Sequence, residues 1–419
     1  MNADGTGGIV VANPTSIPEI VQAASAFGGR GMLARYHTPV ATSPHQEAML
    51  ERFLPRAIGR PVLTELRRRA APAGLASDQV QRTATATELL RIAVARRSKS
   101  PLWQRRMMHA LHARFDAGVE RRLSAGDGAL FTALGTAPRA VQKAHRIGVP
   151  TVLDVPIAHS GWVRQTMREE ARLVPEYAVT LQGHDFPDWM LAANAEEFRV
   201  ADVLLVLSSH ERRTLVAYGV DESKMIEIPL GVDLELFAPV HAGEARDEIF
   251  RVIFVGQITQ RKGLSYLVEA FERAALPASE LLLVGPIVGS DAPWRATSGV
   301  RHVAAVPRAA LPALYASANV YVLPSLAEGF PLTQVEAMAM GLPVIVSENT
   351  SAHDVVTDGQ DGYVVPIRDA GAIAERLRLL YDDADLRARM GAAARRRAEQ
   401  FGWERYHERV VEIVGDVLR

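Results

Sequence analysis

The stretch from Asn319 to Ser347, NVYVLPSLAEGFPLTQVEAMAMGLPVIVS, leaves the chain few ways to fold. Val320-Tyr321-Val322-Leu323 and Leu342-Pro343-Val344-Ile345-Val346 are apolar, rich in β-formers and too short for free-standing helices, so each reads as a buried strand. Between them one short helix fits. Pro331 suits its first position, where a missing N–H costs nothing, and Gly341 suits the place just past its end, where the backbone turns left-handed. Strand end, glycine loop and helix N-terminus then meet at the crevice where open parallel sheets bind ligands.

Two carboxylates lie in this unit. Glu336 is the only charge on the helix, and at about 100° per residue it shares a face with Leu332, Val335 and Ala339. Buried there it needs a partner, either ligand hydroxyls and positive charge or a core arginine. Glu328 sits just before the helix in Leu326-Ala327-Glu328-Gly329-Phe330. Gly329 lets backbone approach a ligand, and the free N–H groups near Leu332 and Thr333 offer a phosphate site helped by the helix dipole.

The whole run PSLAEGFPLTQVEAMAMGLPVIV resembles the retaining nucleotide-sugar glycosyltransferases of family four, the glycosyl transferases group 1. Their signature is two glutamates separated by seven residues, followed by A-M-A-x-G-x-P-V. The resemblance implies an α/β chain of the GT-B fold: two Rossmann-like doubly wound domains face each other across a cleft, and a C-terminal helix crosses back to the first. It also implies transfer of a hexose from a nucleoside diphosphate to the hydroxyl of a sugar, glycan or lipid-linked acceptor, with retention of anomeric configuration. The nucleotide sugar is then a co-substrate, and neither metal nor other cofactor is expected. By the same resemblance Glu328 orients the transferred sugar beside Gly329, Phe330 and Pro331, Glu336 grips the donor ribose, and the amides at Leu332 and Thr333 meet the diphosphate.

At 419 residues the chain suggests two domains, expected as 1–235 on the acceptor side and 236–400 on the donor side, with 401–419 as the returning helix. With 47 basic and 48 acidic residues, nucleic acid is not an expected partner. The absence of cysteine excludes disulfides, thiolate metal sites and a cysteine nucleophile, and fits a reducing compartment. MNADGTGGIVV lacks the features of a signal peptide, and no apolar run of about 18 residues occurs, so a soluble cytoplasmic protein is expected.

Along the chain, Gly8 to Ala12 reads as a strand, Ser16-Ile17-Pro18-Glu19 as a capping box opening a helix that ends at Gly28-Gly29, and Met32 to Tyr36 as a second strand. Relatives carry a glycine-rich loop after the first strand, where this chain has Asn13-Pro14. Residues 45 to 125 are helical in pattern. From Arg52 to Arg122 they hold 16 Lys/Arg against 5 Asp/Glu, an excess of 11. From Ser100-Pro101 onward, Trp103, Met107, Leu111 and Phe115 recur every four residues opposite Arg105, Arg106 and Arg114. That stripe reads first as ordinary core; the other reading is a basic face on an anionic membrane, which would place the protein peripherally at the inner face.

Ala129 to Ala133 and Pro150 to Asp154 read as parallel strands joined by a helix from Arg139 to Arg146. Relatives place a histidine on the following loop, facing the donor sugar, and His159 is its positional counterpart. Val203 to Leu207 is another buried strand, and Gly231 to Glu248 reads as a domain junction. Beyond it, Phe250 to Val255, Leu281 to Val284, Val303 to Val306, Val320 to Leu323, Val344 to Val346 and Tyr363 to Val365 alternate with helices.

The first of these strands ends in Gly256-Gln257-Ile258-Thr259-Gln260-Arg261-Lys262-Gly263. Relatives set an arginine directly after that glycine and a lysine five residues later, both on the donor diphosphate. Lys262 matches beside Gly256, Gln257 stands in the arginine's place, and Arg261 is the neighbour able to supply the charge. Asp383-Ala384-Asp385 is only weakly like a metal site and reads better as helix capping. Two rival functions fit the same fold. A nucleotide-sugar epimerase or hydrolase would need no acceptor, and a non-catalytic binding subunit would have no use for Glu328.

Overall fold

The computed structural model describes residues 7–42, 72, 74–97, 101–239 and 249–419. The expected helix start at Ser100, the Arg52 end of the basic region and part of the Gly231 to Glu248 junction lie outside them.

Two parallel sheets carry the fold. The first joins β1 (Ile9–Ala12), β2 (Leu33–Thr38), β3 (Val80–Arg82), β4 (Ala129–Ala133), β5 (Thr151–Val155), β6 (Val203–Val206) and β7 (Met225–Glu227) in the order β3-β2-β1-β4-β5-β6-β7. The second joins β8 (Phe250–Val255), β9 (Ser279–Val284), β10 (Val300–Val303), β11 (Val320–Leu323), β12 (Val344–Ser347) and β13 (Gly362–Val365) in the order β10-β9-β8-β11-β12-β13. Every residue of β11 and β12 is buried, as expected for parallel strands covered on both faces. In each sheet the order reverses beside the first strand in sequence, which opens a crevice at the carboxyl ends.

Several local expectations are corrected. The Ser16 to Glu19 capping box does not form: Ser16 is left-handed at φ 58, and Ile17 precedes the Pro18–Gly29 helix without a side-chain cap. Asn13 does that work instead, its Oδ1 accepting from the Ile17 N–H at 2.9 Å. Glu19 is buried, with Tyr406 of the last helix donating to its carbonyl oxygen at 3.2 Å. The region expected to be wholly helical contains β3, because its residues complete the edge of β2, and the strand expected at Val303 to Val306 ends at Val303.

The Trp103 stripe divides. Leu111 and Phe115 are fully buried on the Pro101–Arg122 helix, whereas Trp103 is 51% exposed with the Arg106 guanidinium 5.7 Å from its ring centre. The core therefore takes only the C-terminal half of the stripe. Among the described residues no helix is long and apolar enough to cross a membrane.

The chain returns to the first sheet at Phe401-Gly402. The Val232 N–H donates to the Phe401 carbonyl at 2.7 Å, and a Cβ on Gly231 would lie 2.6 Å from the Trp403 nitrogen, so only glycine admits this crossing. The Trp403–Val417 helix then packs on Pro18–Gly29, with His407 Nε2 2.7 Å from Gln22 Oε1.

Candidate active site

The loop after β11 and the turn after β8 meet at the carboxyl ends of their strands. Leu332–Ala339 forms the expected helix, with Pro331 one place earlier than expected, in the cap position at ψ 102, and Gly341 left-handed at φ 74. The 3-10 turn Gln260–Lys262 follows β8 and ends at Gly263, φ 73, where a Cβ would lie 2.0 Å from the Pro324 carbonyl. Glycine thus lets the turn touch the β11 loop.

That contact brings Arg261, Lys262 and Glu328 together. Glu328 Oε1 accepts from Arg261 Nη1 at 2.8 Å, Lys262 Nζ at 2.7 Å and Ser325 Oγ at 3.1 Å, and Arg261 also donates to the Ala327 carbonyl at 2.6 Å. Burial pushes the Glu328 carboxyl up, but the two cations outweigh it and hold it below the ordinary carboxylate range. At Lys262 burial wins, and the ammonium is pulled below the usual lysine value in spite of Glu328. One carboxylate between two cations leaves a net positive charge beside the N-terminus of the Leu332–Ala339 helix. Gly256, φ 149, lies under Lys262, while Gln257 is exposed. The structure therefore joins Arg261, not Gln257, to Lys262.

Glu336 is 3% exposed, and two protein side chains partner it. Arg308 Nη2 stands 2.8 Å from Oε1, and the Tyr315 hydroxyl donates to Oε2 at 3.2 Å. Burial raises the carboxyl above its ordinary value despite both. Tyr315 also reaches the Thr333 carbonyl at 3.3 Å, and Tyr321 lies 2.8 Å from the Thr333 hydroxyl, so two tyrosines brace the first turn near Leu332. Gln334, fully buried one residue on, has no hydrogen-bond partner on either amide atom.

Gly329 faces the first sheet: a Cβ there would lie 2.4 Å from the Pro156 carbonyl and 3.3 Å from Glu211 Oε2. Phe330 is buried, 6.2 Å from the Phe401 ring. His159, three residues past Pro156, is otherwise engaged. Its Nδ1 accepts from the Gly161 N–H at 3.1 Å, capping the Ser160–Leu173 helix, and its ring stacks on Tyr218 at 4.3 Å. Burial lowers this imidazole to about 4. None of these contacts joins it to Glu328, Arg261 or Lys262. Asp383 caps the Ala384–Ala398 helix, its Oδ1 accepting from the Leu386 N–H at 2.7 Å.

Residues passed over in the sequence hold the two sheets together at this site. Glu170, fully buried on the Ser160–Leu173 helix, accepts from Gln260 Nε2 at 2.7 Å and from Arg368 Nε at 2.8 Å. Thr180 Oγ1 accepts from the Gln260 N–H at 2.9 Å. The first half of the chain therefore grips the turn that carries Arg261 and Lys262. No spacing in the sequence announces this, since Glu170 and Arg368 lie 198 residues apart.

The family model described as Glycosyl transferases group 1 matches residues 241–397. A D-inositol 3-phosphate glycosyltransferase of Kribbella flavida is 31% identical over 65% of this chain and 73% of its own length. One of the same description from Pseudarthrobacter chlorophenolicus is 31% identical over 53% of this chain and 60% of its own. Among solved structures, sucrose-phosphate synthase of Thermosynechococcus elongatus aligns at TM-score 0.67 and 20% identity, covering 98% of this chain and 99% of that one. HepE of Anabaena in complex with UDP-glucose aligns at TM-score 0.65 and 15% identity, with the same coverage. With two parallel Rossmann-like sheets and a returning C-terminal helix, the fold is GT-B, and the chain belongs to the group 1 glycosyl transferases.

Proposed function

We propose that the protein is a retaining hexosyltransferase that moves a sugar from a nucleoside diphosphate to an acceptor hydroxyl. The observation that carries this is the Glu328 carboxylate held between Arg261 at 2.8 Å and Lys262 at 2.7 Å, beside a helix N-terminus. The donor diphosphate enters this excess of positive charge, and the two cations leave Glu328 to bind it together with the Leu332 and Thr333 amides. Glu328 is then free to orient the hexose against Gly329, Phe330 and Pro331, and Glu336 takes the ribose hydroxyls.

As the bond from sugar C1 to the diphosphate breaks, negative charge grows on the leaving oxygen, where Arg261 and Lys262 stabilise it. The same oxygen takes the acceptor proton on the face it leaves, so the new bond forms with retained configuration. No metal is needed for this charge stabilisation. In this scheme His159 orders its loop rather than meeting the sugar. The relatives' description makes an inositol phosphate the first acceptor to try; lipid-linked and glycan acceptors follow.

The test is turnover of UDP-, GDP- and ADP-hexoses with and without acceptor, in chelator, with the product anomer read by NMR. Acceptor-dependent product of unchanged anomeric configuration is expected. Donor consumption without acceptor would point to the epimerase or hydrolase, and recovery only on adding Mg²⁺ or Mn²⁺ would remove the metal-free scheme.

A further inference from the structure

At the far edge of the first sheet is a cavity of about 480 Å³ lined by Arg82, Arg114, Arg121, Arg122 and Arg139, with no acidic residue among the described residues of its lining. Its floor is small: Ala113, Ala117 and Gly118 lie on the Pro101–Arg122 helix, and a Cβ on Gly118 would come within 2.3 Å of the Thr83 side chain. Longer side chains there would fill the space that the arginines surround. At Arg114 and Arg122 the partners are neutral. Arg114 donates to the Thr87 hydroxyl at 2.9 Å and Arg122 to the Gly118 carbonyl at 3.1 Å, so neither charge is cancelled. Arg139 meets a carboxylate, Glu120 at 3.2 Å, yet its side chain remains 60% exposed. The neighbouring Asp116 carboxylate is already taken by the Arg139 and Ala140 N–H groups, at 3.0 and 2.9 Å.

The positive field reaches beyond the lining. His37 bonds through Nδ1 to the Thr83 hydroxyl at 3.0 Å, and burial, then the charges of Arg35 and Arg122, push its imidazole down to about 3. The cavity is also separate from the donor crevice. It opens at β3, whereas Gly329 meets the loop after β5, and the order β3-β2-β1-β4-β5 sets four strand spacings, about 19 Å, between them.

We propose that this arginine cavity is a second anion site, which binds a phosphate monoester group through guanidinium forks on several sides. Forked, always-charged donors suit the tetrahedral oxygens of such a group, and their concave arrangement focuses the field on it. The group can belong to a soluble phosphorylated compound or to the headgroup of an anionic lipid. In either case it is held away from the reacting sugar.

Calorimetric titration of the full chain with inorganic phosphate tests this, using Lys262→Ala as background to silence the donor site. Arg114→Glu and Arg121→Glu should each weaken phosphate binding about tenfold or more, and Arg121→Lys by less, because it keeps the charge but loses the fork. Both residues are exposed, so the fold should survive. Sedimentation with phosphatidylcholine vesicles, with and without phosphatidic acid, forms the second arm. Arginine-dependent sedimentation with phosphatidic acid identifies a lipid headgroup; arginine-dependent phosphate binding without sedimentation identifies a soluble ligand. Phosphate affinity and sedimentation both unchanged by the charge reversals would overturn the proposal, as would an absence of binding in both arms.

Discussion

Without a donor, Glu328 is the only carboxylate paired with Arg261 and Lys262 among the described residues, so Glu328→Gln asks what holds the two cations in place. The side chains of Arg261, Lys262 and Glu328 are 14%, 11% and 10% exposed, which leaves little water to take over from the carboxylate. Removing one partner of a buried ion pair costs about 3–5 kcal/mol; the amide oxygen still accepts one hydrogen bond, so the low end, about 3 kcal/mol, is expected. At about 2–4 °C per kcal/mol for domains of this size, the melting temperature should fall by about 6–12 °C.

A nucleoside diphosphate returns negative charge to the same place. It should therefore raise the melting temperature of the variant by more than that of the wild type, through mass action on the folded state, while sugar transfer drops. Differential scanning fluorimetry with UDP, GDP and ADP, followed by turnover with the donor that shifts most, measures both. A variant as stable as wild type with the same nucleotide shift would show that Glu328 does not neutralise these cations, and the charge-exchange scheme would fail.

Other consequences follow from the same geometry. Arg261→Ala should cut donor turnover nearly as much as Lys262→Ala, while the exposed Gln257→Ala stays close to wild type; equal mild effects at 257 and 261 would return Arg261 to the role of a turn residue. Glu336→Gln should weaken nucleoside diphosphate binding about ten- to a hundredfold by calorimetry, whereas unchanged affinity would leave Glu336 as a partner of Arg308 and Tyr315 alone. Burial pushes the Glu19 carboxyl up to about 7 and raises Asp154 and Glu211 as well, so each of these acids binds its proton more tightly folded than unfolded. Stability should be full below about pH 4.5 for Glu19 and be lost as pH rises through 7; Glu19→Gln should flatten that decline in melting temperature, and a curve as steep as wild type would remove Glu19 as a cause.

The stretch around Glu328 shows how far sequence alone reaches. Val320 to Leu323 and Val344 to Val346 had to be buried strands, because runs so apolar and so short have no other stable place, and Gly341 had to end the helix between them. The family signature rests on that same unit, so the fold and the pair Glu328 and Glu336 were legible without coordinates. Strictly local contacts were less so: the capping box at Ser16 failed because Ser16 takes a left-handed backbone and Asn13 accepts from the Ile17 N–H instead.

Partners were decided by tertiary structure alone. The helical period required that Glu336 have a counterpart, but only the meeting of the Arg308 turn, Tyr315 and the Leu332–Ala339 helix named it. Likewise Arg261 and Lys262 are neighbours in sequence, yet their pairing with Glu328 depends on Gly263 touching Pro324, and their setting depends on Glu170 from the other sheet. Periodicity records which face of an element is buried, because burial acts on each residue independently. Which charges then meet depends on how sheets and loops dock, and that is a property of the packed chain.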